Sequence, residues 1–533
     1  MLNSNTIGAS VHPTSGAAMP RIALPDGRRL DRPHPEWLAH HLRWRWLLDS
    51  WEGGEAYRTA VYGYDMHGMP VRNLVRHKRE YPSSTDAGAY PLGGRPFGTD
   101  PAYQATDDDY ELRRARTPVP TFVSEAVEAH LARIYSREVR RAGPESLTSW
   151  WRDVDGRGAS IDDFMSSSVA PLLLVLGQLD LIVDRPAAPD GEPVRTRADE
   201  IRLGLDACAA SYVLPENMVW WRLDRAGRYL ECLVREVDDR GGVSWRHWNE
   251  NIWTLFDDRG EKVRGPFEHG YGRVPIIRVF DRRRPRCRNI GLPRYESIAE
   301  IQREFYNRDS ELILSDTTQA HPLLQGPEDY VKADGAVPIG PNWLLPKKKN
   351  AQGGATTYEG FDVIRFPKEG ADSLRMNKAD LRDAADRAAL LLKPAGSAGT
   401  SGSTVAQSGI SKRIDQAAGN DLLSKIAATL GGIERRLADL ALAVMGADPT
   451  AEDREAIRVQ YPSSFDLYTG EELARAVGQF QTVLGAAGHA PKTEREMLGK
   501  LVRVMLPGLD DSDYGEFDVE IETYLGLDAE TRA

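Results

Sequence analysis

The chain has 533 residues, with 68 basic and 79 acidic side chains and a formal charge of −11, too long for one compact core and so expected to form two or more structural regions. A net negative chain is not built to grip nucleic acid through phosphate neutralisation, which needs clustered Lys and Arg. Three cysteines, Cys208, Cys232 and Cys287, stand without paired spacing, which argues against a disulfide framework and a structural zinc site.

Residues 1–25 are rich in Ser, Gly, Ala and Pro and lack the basic start and apolar heart of a secretion signal. With no apolar run of bilayer-spanning length, the expectation is a soluble cytoplasmic protein with a disordered segment over residues 1–30. From Glu36 to Trp51, Trp37, Trp44, Leu48 and Trp51 fall at helical spacing with His41, predicting an amphipathic helix. His34, His40 and His41 are read as core or surface residues, because rings at adjacent positions do not converge on one ion. Residues 83–109 read as loop, and Asp107-Asp108-Asp109 as a solvated turn or, with oxygen ligands from elsewhere, a hard-cation site. A helix is predicted over 121–140. Ser160 then caps a largely apolar helix from Phe164 to Leu176, and Leu179 to Asp184 leaves it through Gly177 as a strand.

From Ser211 to Asp281 six short apolar runs alternate with turn signals such as Ala226-Gly227 and Gly241-Gly242, predicting an antiparallel meander. Five of the twelve tryptophans sit here, in positions suited to cross-strand packing. The basic run Arg282-Arg283-Arg284-Pro285-Arg286-Cys287-Arg288 either binds phosphate or pairs with acidic residues of another chain. The second is favoured, since no aromatic residues are interleaved for base stacking.

Helices are predicted from Tyr295 to Gln319, bounded by prolines, and from Ala371 to Leu392, with a narrow alanine face. Between them, Gly- and Pro-punctuated runs read as small strands. Residues 393–403 carry no bulky side chain after Lys393 and read as a mobile loop; a tolerated linker has the same composition. Leu422, Ile426, Leu430, Ile433, Leu437, Leu440 and Val444 form one stripe of a helix from Ser411 to Gly446, on the order of 50 Å long, with a kink expected at Gly431-Gly432. Ile457 to Tyr461 alternates as a strand, Glu471 to Leu484 and Thr493 to Leu506 read as helices, and the tail from Asp510 is acidic. Phosphate-loop, zincin, nucleophile-elbow and dinucleotide motifs do not occur, which gives an enzyme no positive support but does not exclude acid and base pairs assembled from distant segments; the chain nominates no catalytic residues and no cofactors.

This order of elements, with the segments from Arg294 to Ile301 and from Gln407 to Gly419, resembles a tailed-bacteriophage portal protein, the head-tail connector ring subunit. The resemblance implies an α+β fold: a wing over 31–290 with the meander at about 211–281, stem helices over 291–320 and 368–393, and an α/β clip over 321–367. A tunnel loop over 394–403, a long kinked wing helix over 404–446, a return strand over 447–469 and a helical crown over 470–533 complete it. It implies no enzyme but a homo-oligomeric ring, usually of twelve, at one capsid vertex. There it would pass double-stranded DNA non-specifically during packaging and ejection, meeting the major capsid protein and scaffold, the large terminase and the head-tail adaptor. The expected setting is the virion, with the host cytoplasm during assembly and no membrane. Expected DNA contacts are Lys393, Ser397, Thr400, Ser401 and Ser403. Trp343, Lys347, Lys348 and Lys349 would dock motor or adaptor, the lysines alternatively being merely solvated, and Arg282, Arg283, Arg284 and Arg286 would join subunits. The alternatives are a cytoplasmic hydrolase with a β-rich domain and helical cap, and a head-tail adaptor or scaffold component.

Overall fold

The computed structural model describes residues 19–64, 70–74, 106–185, 207–320, 323–327, 344–347, 362–364, 369–389, 409–446, 450–462 and 511–524, with a few single positions besides. Two short strands, β1 (Ile22–Ala23) and β2 (Arg29–Leu30), pair antiparallel. Their Met19, Ile22, Leu24 and Leu30 are buried against Val219, Leu233, Trp245 and Phe256. The expected disorder of residues 1–30 is thus corrected over 19–30. Four apolar side chains find a sheet to cover, which the flanking Ser, Gly and Pro composition hid; residues 1–18 lie outside the described residues.

Helix α1 (Pro35–Glu52) opens on His34, whose ring accepts the Glu36 amide at 3.2 Å, and ends at Gly53 in a positive-φ conformation. Its most buried residues are Trp44, Trp46, Leu47, Asp49 and Ser50, whereas Trp37, Leu48 and Trp51 are half-buried at the edge of the core. The anticipated stripe is therefore one flank of the contact. The helix is covered on further sides: the Trp46 indole donates to Asn73 at 2.6 Å and the Gln302 amide donates to the Ser50 carbonyl at 2.9 Å. Next come α2 (Gly54–Thr59), the hairpin of β3 (Val61–Tyr64) and β4 (Pro70–Arg72), and α3 (Thr106–Arg116). Asp107-Asp108-Asp109 lies in the first turn of α3, correcting the loop reading; carboxylates are favoured at that end of a helix. Helix α4 (Phe122–Ile134) stops six residues short of the expected Arg140, which instead begins β5 (Arg140–Ala142), followed by α5 (Glu145–Trp150).

Ser160 caps α6 (Ile161–Phe164) by accepting the Asp163 amide at 3.1 Å. After a π-helical turn over Met165–Val169 comes α7 (Ala170–Leu176), all of whose residues are buried. Gly177, at φ 77°, turns the chain into β6 (Gln178–Asp184). Here glycine is required twice over, because a Cβ would lie 2.5 Å from the Pro293 nitrogen.

The meander divides between two sheets. Strands β8 (Met218–Leu223), β9 (Tyr229–Val237), β10 (Val243–Asn249), β11 (Ile252–Phe256) and β12 (Lys262–Glu268) follow one another antiparallel in one sheet, but β7 (Ala209–Val213) and β13 (Ile276–Phe280) flank β6 in another. The expected single meander over 211–281 is corrected at both ends. Its first and last apolar runs are partners for the apolar β6, since a strand buried on both faces takes whichever apolar neighbours are in reach. The exposed Lys262–Glu268 strand gave no apolar run to read. Trp248 stands opposite Trp253 in the register, the cross-strand packing expected of the tryptophans.

Helix α8 (Glu296–Ala320) precedes a small sheet in which β14 (Leu323–Pro327) pairs parallel with β15 (Leu344–Lys347) and antiparallel with β16 (Asp362–Ile364). Helix α9 (Glu369–Ala388) then returns along α8: Arg375 meets Asp316 at 2.7 Å, and Lys378, one turn on, meets Asp309 and the Phe305 ring, so the pair is antiparallel. Helix α10 (Gly409–Val444) is continuous for 36 residues. Ile426, Leu430, Ile433, Leu437, Leu440 and Val444 are buried as their spacing predicts, and Leu423, Ala427, Ala438 and Ala441 extend the contact to a second face.

After α11 (Ala451–Ala456), β17 (Arg458–Gln460) pairs with β5 and passes close to Gly431, where a Cβ would stand 3.4 Å from the Tyr461 ring. Buried Glu434 of α10 accepts from Arg141 of β5 and from the Tyr461 hydroxyl at 2.9 Å, while Arg141 also holds Asp162 at 2.8 and 2.9 Å. The acidic tail forms α12 (Asp511–Tyr524), with Ile521 buried. Only single positions of the two helices expected over 471–506 are described. Mixed helices and mainly antiparallel sheets fit the α+β expectation.

Candidate interaction site

The structure describes one of the three anticipated sites in side-chain detail, the arginine-rich turn between β13 and α8. Asp281 leaves β13 with its amide on the Gly177 carbonyl at 3.1 Å, and the chain returns when the Arg294 amide reaches the Leu174 carbonyl at 3.2 Å. Between these points Gly291 crosses so close to Gly177 that a Cβ on it would stand 2.2 Å from the Gly177 oxygen. Its amide donates to the buried Gln178 side chain at 2.7 Å. The turn that launches α8 is thereby fixed to the α7–β6 junction.

The arginines divide by task. Arg282 donates to the Pro293 carbonyl at 2.9 Å and lies 3.7 Å from Asp281; partial burial and the neighbouring Arg294 lower its pKa. Arg284 donates to the Gly291 carbonyl at 3.2 Å and lies 3.5 Å from Glu296. Both therefore bond back to the turn that carries them, Arg282 with its side chain 43% exposed and Arg284 with 28%, because a tight excursion offers carbonyls and carboxylates that arginine forks satisfy locally. Arg283 lies over the Phe280 ring at 4.6 Å, and Arg286 is exposed. Glu296 also receives Arg43 of α1 at 2.7 Å, so α1, the turn and the start of α8 share one charged junction.

Sequence reasoning missed the centre of this region. Asp180 on β6 stands opposite Arg278 on β13. The pair is buried and bidentate, at 3.0 and 3.2 Å, with 0% and 2% of the side chains exposed. Tyr229 of β9 donates to Asp180 at 2.7 Å, and Trp221 of β8 lies 4.2 Å from the guanidinium. Burial alone would lower the Arg278 pKa; Asp180 outweighs it and holds the value above the usual range. The Arg278 carbonyl accepts from Arg436 of α10 at 3.2 Å. One pair thus joins both sheets to the long helix. Its signal was a lone charge of opposite sign in each of two apolar runs, Leu179-Asp180-Leu181 and Ile277-Arg278-Val279.

Lys393, Ser397, Thr400, Ser401 and Ser403 lie outside the described residues, as do Trp343, Lys348 and Lys349. Lys347 is the last residue of β15. The histidines of α1 serve packing: His34 stacks on Trp221 at 4.0 Å and His41 on Trp37 at 4.2 Å. Among the described residues no group of three or more His, Cys, Asp or Glu side chains is placed to hold a metal, and no helix is long and apolar enough to cross a membrane. The three cysteines are free thiols.

The class these features define is a mixed α/β chain whose antiparallel helix pair carries a small sheet between its members. No family model matches the chain, and no curated protein matches it. Among solved structures it is similar to a chain from the neck of a native GTA particle computed with C12 symmetry, at 15% identity and a TM-score of 0.35, covering 79% of this chain and 94% of that one. A chain from the neck of an empty GTA particle computed with C6 symmetry is similar at 16% identity and a TM-score of 0.34, with 76% and 94% covered. Both likenesses are coarse.

Proposed function

We propose that the chain is the structural subunit of a portal-type ring, forming the channel through which DNA enters and leaves a phage-like particle. The observation that carries this reading is the arrangement of α8, the β14–β16 sheet, α9 and α10: an antiparallel helix pair with a small sheet inserted, followed by a 36-residue helix. In this reading residues 31–290 are the wing, α8 and α9 the stem, and residues 321–367 the clip that meets the terminase motor and later the adaptor. Residues 394–403 are the tunnel loop, α10 the wing helix, residues 447–469 the return strand and residues 470–533 the crown. The Gly, Ser, Ala and Thr composition of the loop suits contacts to passing phosphates that fix no register, and acidic subunits around a channel disfavour adhesion of DNA. The assembled protein then resides in the virion.

Negative-stain imaging of the purified chain is the test, with turbine-shaped rings enclosing a channel as the expected result. A uniform monomer or dimer across salt and protein concentration would remove the portal reading. Given rings, shortening residues 395–402 is expected to leave assembly intact and to lower DNA packaging or retention; unchanged packaging would take the loop out of the mechanism.

A further inference from the structure

A cavity of about 280 Å³ opens between the β8–β9 turn, β13, the arginine-rich turn and α10. Five arginines, Arg228, Arg273, Arg278, Arg283 and Arg436, line it against two carboxylates, Asp224 and Glu250. Most of these charges have partners. Arg228 is held by Asp224 at 2.8 Å and Arg278 by Asp180. Asp439 sits nearer Arg454, at 3.0 Å, than Arg273, at 3.8 Å, so Arg273 is only partly neutralised.

Arg283 and Arg436 are different. Arg283 has an aromatic ring beneath it and Arg436 a backbone carbonyl, and neither makes an ion pair among the described residues. Burial and the facing charge of Arg283 lower the Arg436 pKa. Two like charges on the lining repel, and an anion between them relieves the repulsion while using the planar forks that suit oxyanions. Glu250 on the lining, which also makes no ion pair among the described residues, opposes such a ligand from the strand turn after β10.

We propose that this cavity is a binding site for a small tetrahedral oxyanion of the phosphate class, held between Arg283 and Arg436 with Arg273 as a third, weaker contact. The site does not depend on ring formation, and so stands apart from the portal reading.

Calorimetric titration of the full chain with inorganic phosphate, at constant ionic strength in chloride, is the test, with acetate and a short DNA duplex titrated in parallel. Saturable phosphate binding is expected, weakened at least tenfold in Arg283→Ala/Arg436→Ala and in the milder Arg283→Gln/Arg436→Gln, and strengthened several-fold in Glu250→Gln. Because Glu250 is exposed, its substitution keeps the test meaningful if the arginine variants misfold. Absence of phosphate binding, or an affinity that none of these substitutions changes, overturns the proposal. So does binding of acetate or duplex alone, or rings that dissolve in the arginine variants without any phosphate effect, which assigns the arginines to carboxylates of a neighbouring copy.

Discussion

Replacing Asp180 by alanine is expected to destabilise the fold by about 3–5 kcal/mol, the usual cost of leaving one member of a buried ion pair without its partner. The charge stranded is Arg278, enclosed by Trp221 at 4.2 Å and Tyr229 at 5.4 Å. Tyr229 loses its acceptor at the same time, and a buried hydroxyl without one carries its own penalty of about 1–3 kcal/mol. The damage extends to α10, because the Arg278 backbone receives Arg436. Urea unfolding of the single variant measures the loss. The double variant Asp180→Leu/Arg278→Met should recover most of it, since apolar replacement of a whole pair is often neutral or favourable. A single-variant loss below about 1 kcal/mol would show that the pair behaves as a surface bridge and does not join the sheets.

Acid is expected to weaken the protein through two buried histidines. His130 bonds the Tyr295 hydroxyl, and His247 makes no ring hydrogen bond among the described residues, with Glu231 4.0 Å from its Nε2; burial pushes each down to about 4 from the ordinary 6.5. The folded state therefore binds these protons more weakly than the unfolded chain. The stability that the neutral rings supply is complete above pH 6.5 and is lost as the pH falls through 4. Each histidine contributes on the order of 3 kcal/mol to that loss. Asp49 acts in the opposite direction. Burial first, then Glu216, raise its carboxyl to about 7, so its contribution is present at low pH and lost as the pH rises through 7. The wild-type profile mixes the two signs, and the informative quantity is the gap between wild type and His247→Asn or His130→Asn. That gap should shrink by on the order of 3 kcal/mol per histidine between pH 7 and 4; a gap independent of pH would exclude proton-linked unfolding at these sites.

Local chemistry alone set much of the secondary structure. Ser160, the apolar run to Leu176, Gly177 and the strand beyond were legible because a cap, a breaker and a change of period are properties of adjacent residues. The same holds for α8, bounded by prolines, and for the stripe of α10. In the candidate site the arginine run was legible as a cluster, but which arginines bond back to the turn was not. What only the tertiary structure decided is partner choice. Residues 19–30 are ordered because the meander sheet offers an apolar face. Strands β7 and β13 leave that meander because β6 needs neighbours on both edges. Arg282 and Arg284 bond back to the turn because Gly177 and Gly291 let two backbones meet at a distance no side chain allows. Asp180 and Arg278, 98 residues apart in the chain, become one ion pair because β6 and β13 align them. Sequence periodicity reports which face of an element is apolar, whereas the register between distant elements depends on packing summed over the whole core.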